Sequence, residues 1–267
     1  MLHIPRQNAS FPEYVAGTAR PTNLVRNVCS APMRRLLLVI VAILAGCAHK
    51  AAAKVVDPVL LSEGTMIERS SGSRGGFVLG DYTFERTNLD RTPAPNASTG
   101  LSPDGLSRPA ERLDLQLAMQ VQDRRWTGAC QALREPTGRQ DYAAVTEEFH
   151  DMVQIDCTFE SGTSSWSFTM KGSLATNLGG TLTPKHREVE GGGLEVEVLM
   201  WRDVWGRVRR QIPEPVAQVR LKRSTSAAMI LARPEQAWFA PSTPQEILDA
   251  AMVTLGALRM LPLGFEG

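Results

Sequence analysis

The sequence predicts a mainly β fold, an antiparallel β-sandwich or barrel with one C-terminal α-helix. Three observations support this prediction. Several segments alternate apolar and polar residues, which is typical of strands that bury one face and expose the other. Glycine-containing turns separate these segments, and only the last part of the chain changes to helical spacing.

The clearest strand runs from Leu113 to Val121, where every second residue is apolar. A strand is also predicted from Phe77 to Arg86. Further strands are predicted at or near 126–132, 153–159, 166–170, 181–183, 194–200, 216–221, 227–231 and 237–239. Because these runs alternate and are not continuously apolar, antiparallel pairing is favoured.

The C-terminal segment has the signals of a helix. Thr243-Pro244-Gln245-Glu246 matches a capping box with proline at the first helical position. Apolar residues then follow helical spacing to about Leu261, and Pro262 ends the run. We expect one amphipathic helix that buries its apolar stripe against the sheet.

Charge is unevenly distributed along the 267 residues, although the formal net charge is only +1. Residues 1–46 contain five arginines and one acidic residue, so the remainder has 24 basic and 27 acidic residues. A slightly acidic globular part argues against nucleic acid as a partner. The 43% apolar and 21% charged content is that of a chain that forms a core.

An export signal is predicted near the N-terminus. Arg34-Arg35 precede a ten-residue apolar run, Leu36–Ala45, which is half of the roughly 20 residues that span a bilayer. A basic start, a short apolar run and small residues are the order of a secretory signal. Leu44-Ala45-Gly46-Cys47 resembles the lipobox of bacterial membrane lipoproteins. The resemblance covers about fifteen residues and does not extend into the mature domain.

The resemblance implies cleavage before Cys47 and lipidation, palmitate included, of that cysteine. Ala48 stands where aspartate would favour the inner membrane in this family. The implied location is therefore the cell envelope, anchored to the outer membrane and facing the periplasm. Two or three acyl chains give stable attachment, whereas one gives only marginal binding.

The expected domain organisation follows from this signal. Residues 1–32 are aperiodic and contain four prolines, so we expect translation to start at Met33. The predicted segments are an upstream segment at 1–32, a lipoprotein signal peptide at 33–46, a lipidated tether at 47–75 and a single β-rich domain at 76–267 with a Pro/Ser/Gly-rich loop at 92–109.

Two cysteines of the mature domain, Cys130 and Cys157, occupy inward phases of neighbouring predicted strands. In an oxidising compartment a disulfide is favoured over two buried thiols. It would close a loop of about 27 residues and stabilise the fold by about 3 kcal/mol in the chain-entropy model.

No catalytic motif is present, including Gly-x-Ser-x-Gly, His-Glu-x-x-His and the phosphate-binding loop. The segment Asp141–Asp151, with Glu147, Glu148 and His150, is interpreted as a solvated loop; a metal or acid–base site is the alternative. We predict no metal and no cofactor, and the sequence leans against an enzyme.

The most unusual segment has two tryptophans and four arginines between Trp201 and Arg210. A hairpin end with buried tryptophan and solvated arginine is the simpler interpretation. The alternative is a ligand surface for sugars or anions, because tryptophan stacks on rings and arginine pairs with anions. Its residues would be Trp201, Trp205, Arg207, Arg209 and Arg210. We expect the strand to break or turn near Trp201, since the strand phase would otherwise bury Arg202.

Three functions are compatible with these observations. The first is a lipid-anchored, non-catalytic binding or structural module for an envelope glycan, lipid or protein. The second is a β-barrel carrier of an apolar ligand, and the third, least favoured, is an envelope hydrolase. An apolar cavity within a closed barrel would favour the carrier, whereas a filled two-sheet core would favour the first function.

Overall fold

The computed structural model describes residues 55–73, 75–94, 100–101, 107–136, 151–174, 176–186, 193–204 and 208–263. Their fold is a closed antiparallel barrel with one long C-terminal helix. The predicted mainly β class is confirmed, and of the two predicted architectures the barrel is the observed one.

The described strands and helices are β1 (Thr65–Ser73), β2 (Gly76–Leu79), β3 (Tyr82–Pro93), β4 (Gly100–Leu101), β5 (Ser107–Arg108), β6 (Glu111–Val121), β7 (Arg124–Pro136), β8 (Asp151–Ser161), β9 (Ser164–Ser173), β10 (Leu178–Pro184), β11 (Leu194–Val204), β12 (Val208–Leu221), β13 (Ser224–Ile230), β14 (Gln236–Phe239), α1 (Pro58–Glu63) and α2 (Gln245–Met260). The barrel order is β1-β14-β13-β12-β11-β10-β9-β8-β7-β6-β3-β2, and β2 pairs with β1 to close it. Strands β4 and β5 form a separate small sheet within the β3–β6 connection.

The N-terminal boundary of the fold differs from the expected one at residue 76. Residues 65–73, expected in the tether, form strand β1 and pair with both β14 and β2. Before them, α1 is capped by the Asp57 carboxylate, which accepts from the Val59 backbone N–H at 2.9 Å. Leu60 of α1 packs with Ile230 and Trp238 on the outer face of the barrel wall. The alternation in 65–73 is too weak to reveal a strand that two neighbours hold in place.

The segment predicted as one strand from 77 to 86 is two strands, β2 and β3, joined at Gly80. Gly80 has φ +57°, a conformation that glycine adopts at no steric cost. Lys222 and Arg223 make the tight β12–β13 turn with φ 48° and 73°. Neither residue type is a turn signal, so this hairpin is imposed by pairing of its strands.

Helix α2 lies within the ring of strands. Its residues from Leu248 to Arg259 are all buried, on every face of the helix. It contacts β12 and β13 on one side and β6 and β7 on the other. The expected helix packs against the sheet, but it is buried on every face and not along one stripe only, because the segment 247–258 has a single charged residue, Asp249. Among the described residues, no helix has the length and hydropathy to cross a bilayer.

The predicted capping box does not form. Pro244 occupies the cap position of α2, and no side chain makes a capping hydrogen bond there. The Glu246 carboxylate instead accepts from the Ser164 hydroxyl at 2.7 Å, at the start of β9. The Glu246 side chain thus bonds to the barrel wall and not to the start of its own helix, because the first turn of α2 lies against the wall.

Candidate functional site

The predicted Trp/Arg surface falls on the β11–β12 hairpin, of which only part is described. Trp201, Arg209 and Arg210 lie on its strands, where Trp201 pairs with Gln211; their side chains, like the whole of Trp205 and Arg207, lie outside the described residues. Of the two expected outcomes near Trp201, the chain does not turn there, because β11 continues to Val204, but the regular strand pairing does break. A register shift between Leu199 and Trp201 changes the strand phase. This hairpin remains a predicted ligand surface.

Of the cysteines, Cys130 and Cys157 form a disulfide between directly paired positions of β7 and β8. Both are buried on the inner side of the wall, as the strand phases predict. Cys47 lies outside the described residues, as do Glu147, Glu148 and His150. Asp151 is described and pairs with Arg134, which gives it a structural role at the start of β8.

The first turns of α2 are held to the wall by a buried carboxylate. The Asp249 side chain is 1% exposed, and its Oδ2 accepts from Arg124 Nε of β7 at 2.6 Å. Gln245 donates to Asp249 Oδ1 at 2.7 Å. We call Arg124, Asp249 and Gln245 the first-turn clamp. The Arg124 side chain is 34% exposed, so this clamp reaches solvent.

A second group holds the end of α2. Glu235, in the β13–β14 connection, has a fully buried side chain that accepts from Arg259 Nε at 2.8 Å. Arg69 of β1 donates through Nη1 to both Glu235 carboxylate oxygens at 2.9 Å. We call Glu235, Arg69 and Arg259 the last-turn clamp. The side chains of Glu235, Arg69 and Arg259 are 0%, 15% and 5% exposed, so solvent has almost no access to this clamp.

The inner wall near the first-turn clamp carries two buried indole groups. Trp126 lies two residues after Arg124 on β7, and Trp166 lies on β9. Both side chains are 2% exposed or less, and within the described part of the chain neither Nε1 atom has a hydrogen-bond partner. A buried donor without an acceptor costs free energy. Such a group calls for a specific explanation.

Tyr82 packs beside the same clamp. The pKa of its phenol is raised to about 12, mainly by burial and then by the nearby Asp249 carboxylate, while a hydrogen bond with Gln245 acts in the opposite direction. The hydrogen bond from Arg124 to Asp249 raises the pKa of the Arg124 guanidinium. The phenol therefore stays neutral and the guanidinium stays charged throughout the physiological range.

Two shallow grooves among the described residues of the outer wall share Gln116, Ala129 and Thr158. One has a volume of about 300 Å³ and extends to Arg125 and Glu160. The other, of about 360 Å³, lies over the disulfide. Both are lined mostly by outward-facing residues of β6, β7 and β8, so they lie outside the barrel core.

No family model, no curated protein and no solved structure matches this chain. Function must therefore be argued from the geometry. In the part of the chain that the structure describes, no group of three or more His, Cys, Asp or Glu side chains is arranged to hold a metal ion.

The residues that hold α2 inside the barrel were not predicted from the sequence. Asp249 carried a detectable signal, since it is the one charged residue in an otherwise uncharged helical segment, 247–258. A lone carboxylate there needs a cation, and buried charges are usually paired. Nothing in the sequence indicates that Arg124, 125 residues earlier, supplies it.

Proposed function

We propose that this protein is a lipid-anchored, non-catalytic carrier of an apolar ligand in the cell envelope, and that the ligand takes the place of α2 inside the barrel. The barrel is closed, but α2 fills the interior where a carrier is expected to have an apolar cavity. The observation that supports the proposal most strongly is therefore the identity of what fills the barrel. The centre is occupied by one helix from the end of the chain, and not by the side chains of the strands alone.

Barrel size explains why this matters. About eight strands give an interior that side chains can fill, and larger barrels enclose cavities. A ring of twelve strands leaves more space, and here the space accommodates α2. A helix of this length, Gln245–Met260, is about 24 Å long and about 10 Å wide. Without it the barrel would hold an apolar chamber of matching size, long enough for an acyl chain.

The connection of α2 to the barrel permits such an exchange. The helix follows β14 through residues 240–244, which include Pro241 and Pro244. No barrel strand pairs with α2, so its departure breaks no strand pairing. The polar contacts that hold it include the two clamps, the bond from Ser164 to Glu246 and the hydrogen bond between Tyr82 and Gln245, and water or a ligand can replace such contacts.

The proposed anchor is compatible with where the fold begins. The predicted lipidated residue Cys47 is only eight positions before Val55, the first described residue. Eight residues span about 29 Å at most. The barrel would therefore stay close to the membrane surface, where an apolar ligand can be received or delivered.

The test is hydrogen exchange of the mature protein carrying Cys47→Ser, so that neither detergent nor the protein's own acyl chains compete. Added palmitate should bind and speed amide exchange in 245–260, while amides of β6 to β9 stay protected. Failure to bind palmitate, or binding that leaves α2 protected, contradicts the carrier.

A variant that weakens the packing of α2 against the barrel wall provides a second test of the carrier function. A Cβ at Gly256 would lie 2.4 Å from the Phe84 ring, so Gly256→Ala pushes the helix from the wall. We expect tighter palmitate binding, about tenfold for each 1.4 kcal/mol by which the helix is destabilised. Gly179→Ala is the matched control, because a Cβ there meets nothing within 4 Å.

The second candidate function is a binding module that uses the outer wall. The two grooves over β6, β7 and β8 favour it, because they offer polar side chains on a rigid, disulfide-linked surface. This function predicts that a partner binds while α2 exchange is unchanged, and that Thr158→Arg abolishes binding. The carrier function predicts that Thr158→Arg leaves the affinity for palmitate unchanged.

A further inference from the structure

The distribution of apolar and charged residues in α2 indicates what kind of ligand can take its place inside the barrel. Between Ile247 and Leu258 the helix is an apolar rod, and its only charge is the Asp249 carboxylate near one end. The Thr254 hydroxyl is satisfied within the helix by the Ala250 carbonyl at 2.8 Å. The stretch 247–258 is therefore an apolar body headed by a single buried anion, which matches an acyl chain with an acid group; the buried cation that follows it, Arg259, is paired with Glu235 of the barrel.

The partner of that anion belongs to the barrel and stays when the helix leaves. Arg124 is a residue of β7, and its Nε donates to Asp249 Oδ2 at 2.6 Å. Without α2, this guanidinium would face the chamber without the Asp249 carboxylate, and Asp123, its neighbour in the chain, would remain close enough to interact with it electrostatically. Guanidinium groups bind carboxylates and phosphates through paired, charge-assisted hydrogen bonds. An anionic headgroup can thus take the position of Asp249.

The two indole groups supply a second, independent observation. Trp126 follows Arg124 on the inner face of β7. Trp166 pairs with Phe159 of β8, which in turn pairs with Gly128 of β7, so the two tryptophans differ by two residues in register. Both Nε1 atoms are buried donors that lack an acceptor among the described residues. Trp126 is two residues from Arg124 on β7, whereas Trp166 is two strands away and level with Gly128, four residues from Arg124; a ligand oxygen inside the barrel would give each indole an acceptor.

We infer that the barrel interior binds a long-chain acyl ligand with an anionic headgroup, a carboxylate or a phosphate, which Arg124 pairs with in place of Asp249 and to which Trp126 and Trp166 donate hydrogen bonds. The inference rests on the proposed carrier function and names its ligand class. The headgroup comes from a free fatty acid or from a lysophospholipid, and the experiment separates these two sources.

The experiment measures dissociation constants of the full mature protein, again with Cys47→Ser, for palmitate, palmitoyl-lysophosphatidylglycerol and 1-hexadecanol. At least one of the two anions should bind about tenfold more tightly than the alcohol, since charge assistance roughly doubles hydrogen-bond strength. The anion that binds more tightly identifies the source. Each ratio is independent of the cost of displacing α2, because all three ligands displace the same helix.

Three variants test the named residues. Arg124→Gln should reduce the preference for an anion over the alcohol to about onefold. Arg125→Gln is the matched control, because this neighbouring arginine points to the outer wall and should leave the preference unchanged. Trp126→Phe and Trp166→Phe should each weaken binding of the preferred anion severalfold, and thermal unfolding verifies that they fold.

The outcomes distinguish the inference from the function on which it rests. If none of the three ligands binds, the carrier itself is wrong. If all bind equally and α2 exchange rises, the carrier stands and the anionic ligand is wrong. An unchanged preference in folded Arg124→Gln, or unchanged affinity in both tryptophan variants, overturns the assigned contacts.

Discussion

The two clamps on α2 use the same kind of ion pair in opposite directions. At the first-turn clamp the helix supplies the anion, Asp249, and the wall supplies Arg124. At the last-turn clamp the helix supplies the cation, Arg259, and the β13–β14 connection supplies Glu235. Both arrangements place charge where the helix dipole favours it, with the carboxylate near the N-terminus and the guanidinium near the C-terminus.

The clamps differ in their access to water. Arg124 is 34% exposed, whereas Glu235 is fully buried and is shared by Arg69 and Arg259. If Arg124 loses its partner, water can hydrate it, because it is already partly exposed. Arg69 and Arg259 are too buried to be hydrated in the same way if they lose the Glu235 carboxylate. We therefore expect the first-turn clamp to open more easily, which suits its proposed role as the ligand headgroup site.

The largest expected effect is at the last-turn clamp. Glu235→Gln removes the anion that Arg69 and Arg259 share, and should lower the free energy of unfolding by about 3–5 kcal/mol in urea titrations. Glu197→Gln is the matched control, because its pair with Arg220 is partly exposed and should contribute about 1 kcal/mol or less. Equal losses for the two variants would contradict the buried network.

A smaller loss is expected at the first-turn clamp. Asp249→Asn keeps an oxygen that accepts from Arg124 but removes its charge. It should lower the free energy of unfolding by about 1–3 kcal/mol, because Arg124 retains contact with water. If this loss equals that of Glu235→Gln, the proposed difference between the clamps does not exist.

The pH dependence of stability provides a third test. The folded-state pKa of Tyr82 is about 12, above its ordinary value of 10.0. From pH 10 to 12 the unfolded chain releases this proton while the folded protein keeps it, so stability falls as the pH rises. The free energy of unfolding of the Tyr82→Phe variant, measured by urea titration, should fall less steeply between pH 10 and 12. Identical slopes would show that the phenol ionises freely.

The smallest effect is expected from Arg124→Lys, which keeps the positive charge of the first-turn clamp. A lysine loses the planar geometry of the guanidinium, but its ammonium group remains hydrated, because the Arg124 position is partly exposed. We expect a loss of about 1 kcal/mol or less by urea titration. A loss as large as that of Asp249→Asn would show that paired geometry, and not charge, holds the first turn.

Much of the wall could be predicted from local patterns. The strands at 113–121, 153–159, 166–170 and 194–200, and the pairing of Cys130 with Cys157, follow from residues that alternate between a dry and a wet face. The split of 77–86 at Gly80 and the turn at Lys222 and Arg223 could not be predicted, because their signals are weak and pairing across strands overrides them.

The candidate site was beyond prediction for a different reason. The sequence drew attention to the Trp/Arg segment at 201–210 because unusual residues are adjacent in the chain. The residues of the interior site are individually ordinary, and they come from β7, β9 and α2. Their common feature is that they meet inside the barrel.

The sequence by itself determined the alternating strands, the antiparallel class, the terminal helix and the cysteine pair, because each depends on periodicity or phase within short segments. Only the tertiary structure decided that the strands close into a barrel and that α2 lies within it. Closure depends on pairing between β1 and β14, strands about 170 residues apart, and the place of α2 depends on the ion pair of Asp249 with Arg124, 125 residues earlier. Contacts of that range leave no local pattern, because each partner by itself is an ordinary strand or loop residue.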